Sequence, residues 1–198
     1  MTFRNFYNKT IKESETLIGQ GKYFNTYEDN SDEDMSDTVI KKPAKGNKIS
    51  SIEIKKHQFM KDNEGSDVFV RILQIRPDTI WAEKVNTKTG NAICWIFTEG
   101  YLDITGNEEG IEDDDMKSDF IMNEVLSPKS SIDWKWVERT AKDMDPNDNY
   151  VKACNYLVDY HKRLKRVKGW PVSTFDIHAE NVGVVNRGGS KKLVIIDF

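Results

Sequence analysis

Short runs of alternating apolar and polar side chains dominate the first part of the chain. Glu15-Thr-Leu-Ile18 and Tyr23-Phe-Asn-Thr-Tyr-Glu28 are rich in strand-forming residues and flank Gly19-Gln-Gly-Lys22, a composition that suits the tip of a hairpin. A third strand is predicted at 38–42. It follows Asp29-Asn-Ser-Asp-Glu-Asp-Met-Ser-Asp37, whose like charges repel and favour an open, solvated loop. From Ile49 to about Asp62 the residues Ile52, Lys56, Phe59 and Met60 recur at helical spacing, and Ser50 or Ser51 can cap the start. Asp67–Arg76 and Thr79–Val85 alternate about Pro77-Asp78, which predicts a strand pair closed by a turn. Ala92–Thr98 reads as a further hairpin-like stretch extending the same sheet. On this pattern residues 1–105 form an antiparallel, β-rich lobe with one helix.

The character changes at 106–119, an acidic stretch with too few apolar residues to bury. We read 106–130 as an acidic linker. The stretch lacks the ligand spacing of a calcium-binding EF-hand, so solvated charge explains it better than a metal does. Beyond it the spacing is helical. Ile132, Trp136 and Val137 mark a helix within 131–143, and Tyr150, Cys154, Leu157, Val158, His161 and Leu164 form one stripe over 146–167. Asp145-Pro146 offers a cap and a proline for the first helical turn, and Lys162, Arg163, Lys165, Arg166 and Lys168 crowd the far end, where the helix dipole favours cations. Residues 131–198 are therefore expected to form a second, helical lobe, and the fold class is α+β.

Composition narrows the function classes. Of 198 residues, 31% are charged and 37% hydrophobic, with a mean hydropathy of -0.66. No apolar run approaches a membrane span and the start lacks the basic-then-apolar order of a signal peptide, so a cytoplasmic protein without a membrane partner is expected. Cys94 and Cys154 make no ligand spacing and read as reduced core residues. A net charge of -4 argues against a general nucleic-acid coat. The basic run 161–168 is the one place such a partner could touch, and helix-end solvation accounts for it without one.

The chemistry is concentrated near the end. Val172-Ser-Thr-Phe-Asp176-Ile-His178-Ala-Glu-Asn181 precedes an apolar strand, a Gly188-Gly189 turn, and Lys192-Leu-Val-Ile-Ile-Asp197. This arrangement resembles the catalytic loop and metal-binding strand of protein-kinase-like phosphotransferases. Upstream, Leu17-Ile-Gly19-Gln-Gly21-Lys-Tyr23 resembles a kinase glycine-rich loop, and Thr38-Val-Ile-Lys41 resembles the strand whose lysine pairs with the α- and β-phosphates. The four elements occur in the family's order. Over 15–42 and 146–198 the local phrases are most similar to the Ser/Thr protein kinases that short-tailed bacteriophages make early in infection.

The resemblance implies a protein-kinase-like fold, with a β-rich N-lobe and a truncated helical C-lobe ending at the metal-binding strand. It implies ATP and Mg²⁺ as cofactors. Gly19, Gly21, Lys22 and Tyr23 would cover the nucleotide, and Lys41 would hold its phosphates with Glu53 as helix partner or Glu64 as the alternative. Asp176 would take the acceptor proton, and Asn181 and Asp197 would bind the metal. Phe24 stands where the family's loop has its third glycine, and His178 stands where protein kinases usually place lysine. The implied function is ATP-dependent phosphorylation of Ser/Thr in host proteins, in the host cytoplasm. Two alternatives stay open: a pseudokinase that inhibits a host protein by occupying it, suggested by the absence of the substrate-holding helices, and a small-molecule phosphotransferase, suggested by the Asp-x-His-x-x-Asn form.

Overall fold

The computed structural model describes residues 15–20, 23–29, 37–107, 110–111, 113–170 and 177–197. The chain divides into two compact units. One comprises the described residues up to Glu64 together with Val70–Lys84, and the other comprises Gly65–Phe69 with the described residues from Val85 onward.

The first unit is built on a five-stranded antiparallel sheet: β1 (Glu15–Gln20), β2 (Phe24–Asp29), β3 (Thr38–Pro43), β5 (Ile80–Glu83) and β4 (Ile72–Ile75), in that spatial order. β3 is central, and Thr38, Val39, Ile40 and Lys41 are all buried, as expected of a strand covered on both faces. The predicted strand at 67–76 is shorter than the alternation suggested. Phe69 instead makes an isolated parallel bridge to Ile195 within the second unit, so its backbone is satisfied elsewhere. Helix α1 (Ser51–Asp62) follows β3, and the Ser50 hydroxyl accepts from the Glu53 N–H at 3.2 Å, the predicted cap. Its inward face differs from the one the apolar spacing suggested. Of the predicted stripe Met60 is buried but Ile52 is 65% exposed, and Glu53 and His57 share the inward face with Met60.

In the second unit, Ala92–Thr98 is part of helix α2 (Thr87–Thr105), which corrects both the predicted extra hairpin and the single helix assigned to 1–105. Gly90, Ile93, Cys94, Phe97, Thr98 and Leu102 are its buried residues, a period near 3.6 that a seven-residue window cannot separate from alternation. Asn86 caps its start through the Thr89 N–H at 3.0 Å, and Gly106, at φ 67°, ends it. Residues 106–130 are likewise more than a linker. They hold α3 (Asp114–Phe120), capped by Asp113, and a π-helical turn at Ile121–Val125. Asp114 and Asp115 occupy the first turn of α3, where the dipole favours them, and Ile121, Val125 and Leu126 are fully buried.

Helices α4 (Trp134–Lys142) and α5 (Asn149–Leu164) complete the helical layer. The cap of α5 is Asp148, which accepts from Tyr150 N–H at 2.7 Å, while Asp145 closes the preceding turn through Asn147 N–H at 2.8 Å. The predicted start at Asp145-Pro146 is therefore three residues early. The stripe Tyr150, Cys154, Leu157, Val158, His161 and Leu164 is buried as its spacing required. Both cysteines are free and buried, and burial pushes the Cys94 thiol up to about 12. The basic end of α5 is not all solvated: Arg163 is 1% exposed and Lys162 pairs with Glu138 at 3.0 Å. Among the described residues no helix is long and apolar enough to cross a membrane.

Strands β6 (Val182–Arg187) and β7 (Ser190–Ile195) form a hairpin. Gly188 and Gly189, at φ 59° and 77°, supply its turn, the left-handed pair that a two-residue hairpin loop demands. The entry to α2 holds β6 closely. Asn86 and Val184 exchange two backbone hydrogen bonds at 3.0 and 3.1 Å, and a methyl group on Gly90 would lie 2.7 Å from the Gly183 Cα and the Val182 carbonyl oxygen.

One buried side chain makes this unit sensitive to acid. The His161 ring stacks on Trp134 with centroids 3.9 Å apart and donates from Nε2 to the Val125 carbonyl at 2.8 Å. Burial, only partly offset by that hydrogen bond, lowers its pKa to about 4. A folded value below the ordinary one, about 6.5, means that the unfolded chain takes up a proton which the folded ring refuses. The stability His161 contributes is whole above pH 6.5 and drains as pH falls toward 4. Wild type is expected to lose on the order of 2–3 kcal/mol from this group between pH 7 and 4. Urea unfolding of His161→Phe, compared at the two pH values, should show a correspondingly smaller loss.

Candidate functional site

Within the first unit the resemblance-derived residues gather around Lys41. Its position in β3 is set by pairing with Thr26 on one side and Ile80 on the other. Its ammonium, only 8% exposed with the rest of the residue, lies 5.7 Å from the centroid of the Phe24 ring and 3.4 Å from His57 Nε2. A cation over an aromatic face is attracted by the ring quadrupole. Glu53 stands one helical turn before His57 and is also buried, with an ion pair to Lys56 at 3.2 Å. Glu64, the alternative partner, pairs with Arg71 at 3.3 Å. Gly19 lies in β1 beside a break in register between Leu17 and Gly19, and a Cβ there would meet Thr26 at 3.8 Å. Tyr23 is exposed just before β2. Gly21 and Lys22 lie outside the described residues.

Sequence reasoning missed His57. The signal was present, because a residue four positions after Glu53 shares its helix face. The apolar stripe through Ile52 and Phe59 drew attention to the neighbouring face instead.

Within the second unit the hairpin sets Asn181 opposite Ile196, the residue before Asp197. Asn181 ends a short 3₁₀ turn, Ala179–Asn181, and the next residue, Val182, pairs with Ile195. One step further along the ladder the Ile196 N–H donates to the Asn181 carbonyl at 2.8 Å, so Asp197 follows directly on the residue bonded to Asn181. The Asn181 side-chain nitrogen lies 3.1 Å from His178 Nε2. An amide NH₂ can only donate, so in this contact the ring nitrogen is the acceptor. The bond is made by the amide nitrogen, and the amide oxygen is the hard donor that Asn181 could offer a metal. His178 thus contacts the side chain of Asn181 within the same loop. Asp176 lies outside the described residues.

The oxygens of Asn181 and Asp197 are hard donors of the kind Mg²⁺ takes, one neutral and one anionic. Mg²⁺ characteristically uses one or two protein carboxylates and fills its shell with water and phosphate oxygens, so a donor pair of this kind fits it. Among the described residues no group of three or more His, Cys, Asp and Glu side chains is placed to cage a metal ion.

This unit also contains an ionic clasp on the segment Gly65–Phe69. The Asp67 carboxylate receives Arg187 at 3.0 Å and Lys192 at 2.6 Å, and the Asp67 carbonyl accepts from Arg163. Burial raises the Asp67 pKa, but the hydrogen bonds and charges of Lys192 and Arg187 outweigh it and hold the carboxyl below its usual range. Because Arg187 and Lys192 lie on β6 and β7, the clasp fixes the hairpin that carries Asn181 and Asp197. No family model, curated protein or solved structure matches the chain.

Proposed function

We propose that the chain is an ATP-dependent, Mg²⁺-requiring protein kinase that phosphorylates serine and threonine side chains of host proteins. The observation that carries this reading is the hydrogen bond from Ile196 to Asn181, which sets Asn181 opposite the residue before Asp197 at the end of a hairpin that follows Asp176-x-His178. Further support comes from the first unit. It has a buried lysine on the third strand of an antiparallel sheet, followed by a helix that carries a buried glutamate, which is the order of the phosphate lysine and its helix partner in protein kinases.

In this reading Lys41 holds the nucleotide phosphates, and Asn181 and Asp197 hold Mg²⁺. The metal, when bound, supplies charge neutralisation at the phosphates. Asp176 orients the acceptor hydroxyl and takes its proton. A bond forms between the acceptor oxygen and the γ-phosphorus while the bond from that phosphorus to the β–γ bridging oxygen breaks, and the electron pair leaves with ADP. Phosphoryl transfer asks the protein for positioning and charge more than for covalent chemistry, which suits the carboxylate, amide and ammonium groups these residues offer.

Incubation of the chain with γ-labelled ATP, Mg²⁺ and a bacterial lysate is expected to label proteins on serine and threonine, and chelation of the metal should abolish the labelling. Label found only on small metabolites would overturn the protein-kinase assignment in favour of a small-molecule phosphotransferase. No transfer at all, together with stoichiometric capture of one protein, would favour a binding role.

A further inference from the structure

We propose that His57 is a positioning residue for Lys41, fixing its ammonium through a neutral ring nitrogen; this rests on the phosphotransfer reading of Lys41. The ring's own state follows from its contacts. His57 Nδ1 lies 2.8 Å from the Glu53 carbonyl oxygen, which can only accept, so Nδ1 carries the proton. The Nε2 lone pair is then the acceptor that faces the Lys41 Nζ at 3.4 Å. The ring is fully buried and meets Phe24 edge-on, with centroids 5.4 Å apart and planes at 73°. Helix α1 thus sets its place, the backbone of Glu53 sets its tautomer, and Phe24 sets its plane.

A neutral acceptor acts on a lysine differently from a carboxylate. It directs one N–H and restricts the side chain without itself cancelling the positive charge. Phe24 acts in the same sense, because a ring face attracts the cation and leaves its charge whole. Glu53 contributes twice: its backbone locks His57, and its carboxylate adds negative charge on the same buried helix face. Two features that depart from a glycine-rich, glutamate-only arrangement, Phe24 in the loop strand and His57 on the helix, therefore contact the same ammonium.

The test compares His57→Gln, which keeps an acceptor, with His57→Leu, which removes it. His57→Leu is expected to raise KM for Mg-ATP about tenfold and shift the side-chain ¹⁵Nζ resonance of Lys41 in the ligand-free protein, with His57→Gln restoring most of both. Equal behaviour of the two variants, or an unmoved Lys41 signal in both, would reduce His57 to packing and overturn the proposal. Long-range ¹H–¹⁵N spectra of the wild-type ring give a check that requires no variant to fold. The proton is expected on Nδ1, and a proton on Nε2 contradicts the inference. Failure of wild-type phosphotransfer, with the Lys41 resonance still answering to His57→Leu, would overturn the kinase reading and uphold the local geometry.

Discussion

Asp197→Asn is expected to lower kcat/KM for Mg-ATP by at least about 100-fold, the scale on which single pre-organised electrostatic contacts act in enzyme sites. The substitution keeps the shape and one oxygen but removes the negative charge that a hard cation prefers. Its partner in the site, Asn181, stays in place because its backbone is held by Ile196 and its side chain by His178. Thermal unfolding should therefore be close to wild type while the Mg²⁺ concentration needed for half-maximal rate rises. Initial rates across a Mg²⁺ titration read both. A variant with normal turnover and an unchanged metal requirement would remove Asp197 from the site.

Arg163→Met is expected to be the most destabilising of the substitutions considered, because a single buried guanidinium serves three acceptors. Its Nε donates to Asp159 at 2.8 Å, its Nη2 to the Leu193 carbonyl at 2.9 Å, and its Nη1 to the Asp67 carbonyl. Methionine replaces the stem but supplies no donor, so two backbone carbonyls lose their partner in an apolar setting, at about 1–3 kcal/mol each. Asp159 is half-exposed and recovers water, so its share is small. A loss on the order of 3 kcal/mol in urea unfolding is expected. Lys162→Met, which breaks an exposed pair with Glu138, should change stability by no more than about 0.5 kcal/mol. Equal effects of the two would show that the clasp on Asp67 is not what holds the β6–β7 hairpin.

What could be read from the sequence follows from the range of the interactions involved. The strands β1 to β3, helix α1 and the β6–β7 hairpin are written locally, in side-chain alternation, a serine cap and a Gly-Gly turn, and all were predicted. Helix α2 was not, because Ala92–Thr98 satisfies two periods at once and only the caps at Asn86 and Gly106 separate them. The acidic stretch concealed a helix start for a related reason: charges that repel in an open chain are stabilising beside unsatisfied N–H groups. Arg163 was out of reach. A cation near a helix C-terminus is explained by the dipole alone, and its partner Asp67 lies 96 residues away. For the candidate site, the hairpin that sets Asn181 opposite Ile196 was legible from the apolar runs and the Gly-Gly turn. The contact of Lys41 with His57 depends on which face of α1 turns inward, and there Ile52 pointed the wrong way.

The central claim is that this chain transfers the γ-phosphoryl group with Asp176 as the base. Its most direct test is the rate of protein labelling from γ-labelled ATP by the wild-type chain beside Asp176→Asn, with both shown to unfold at the same temperature. The account expects wild-type transfer and a loss of at least about 100-fold in the variant, consistent with the 10²–10⁴-fold scale of general acid–base catalysis. Equal labelling by the two proteins, or none by either, would contradict it.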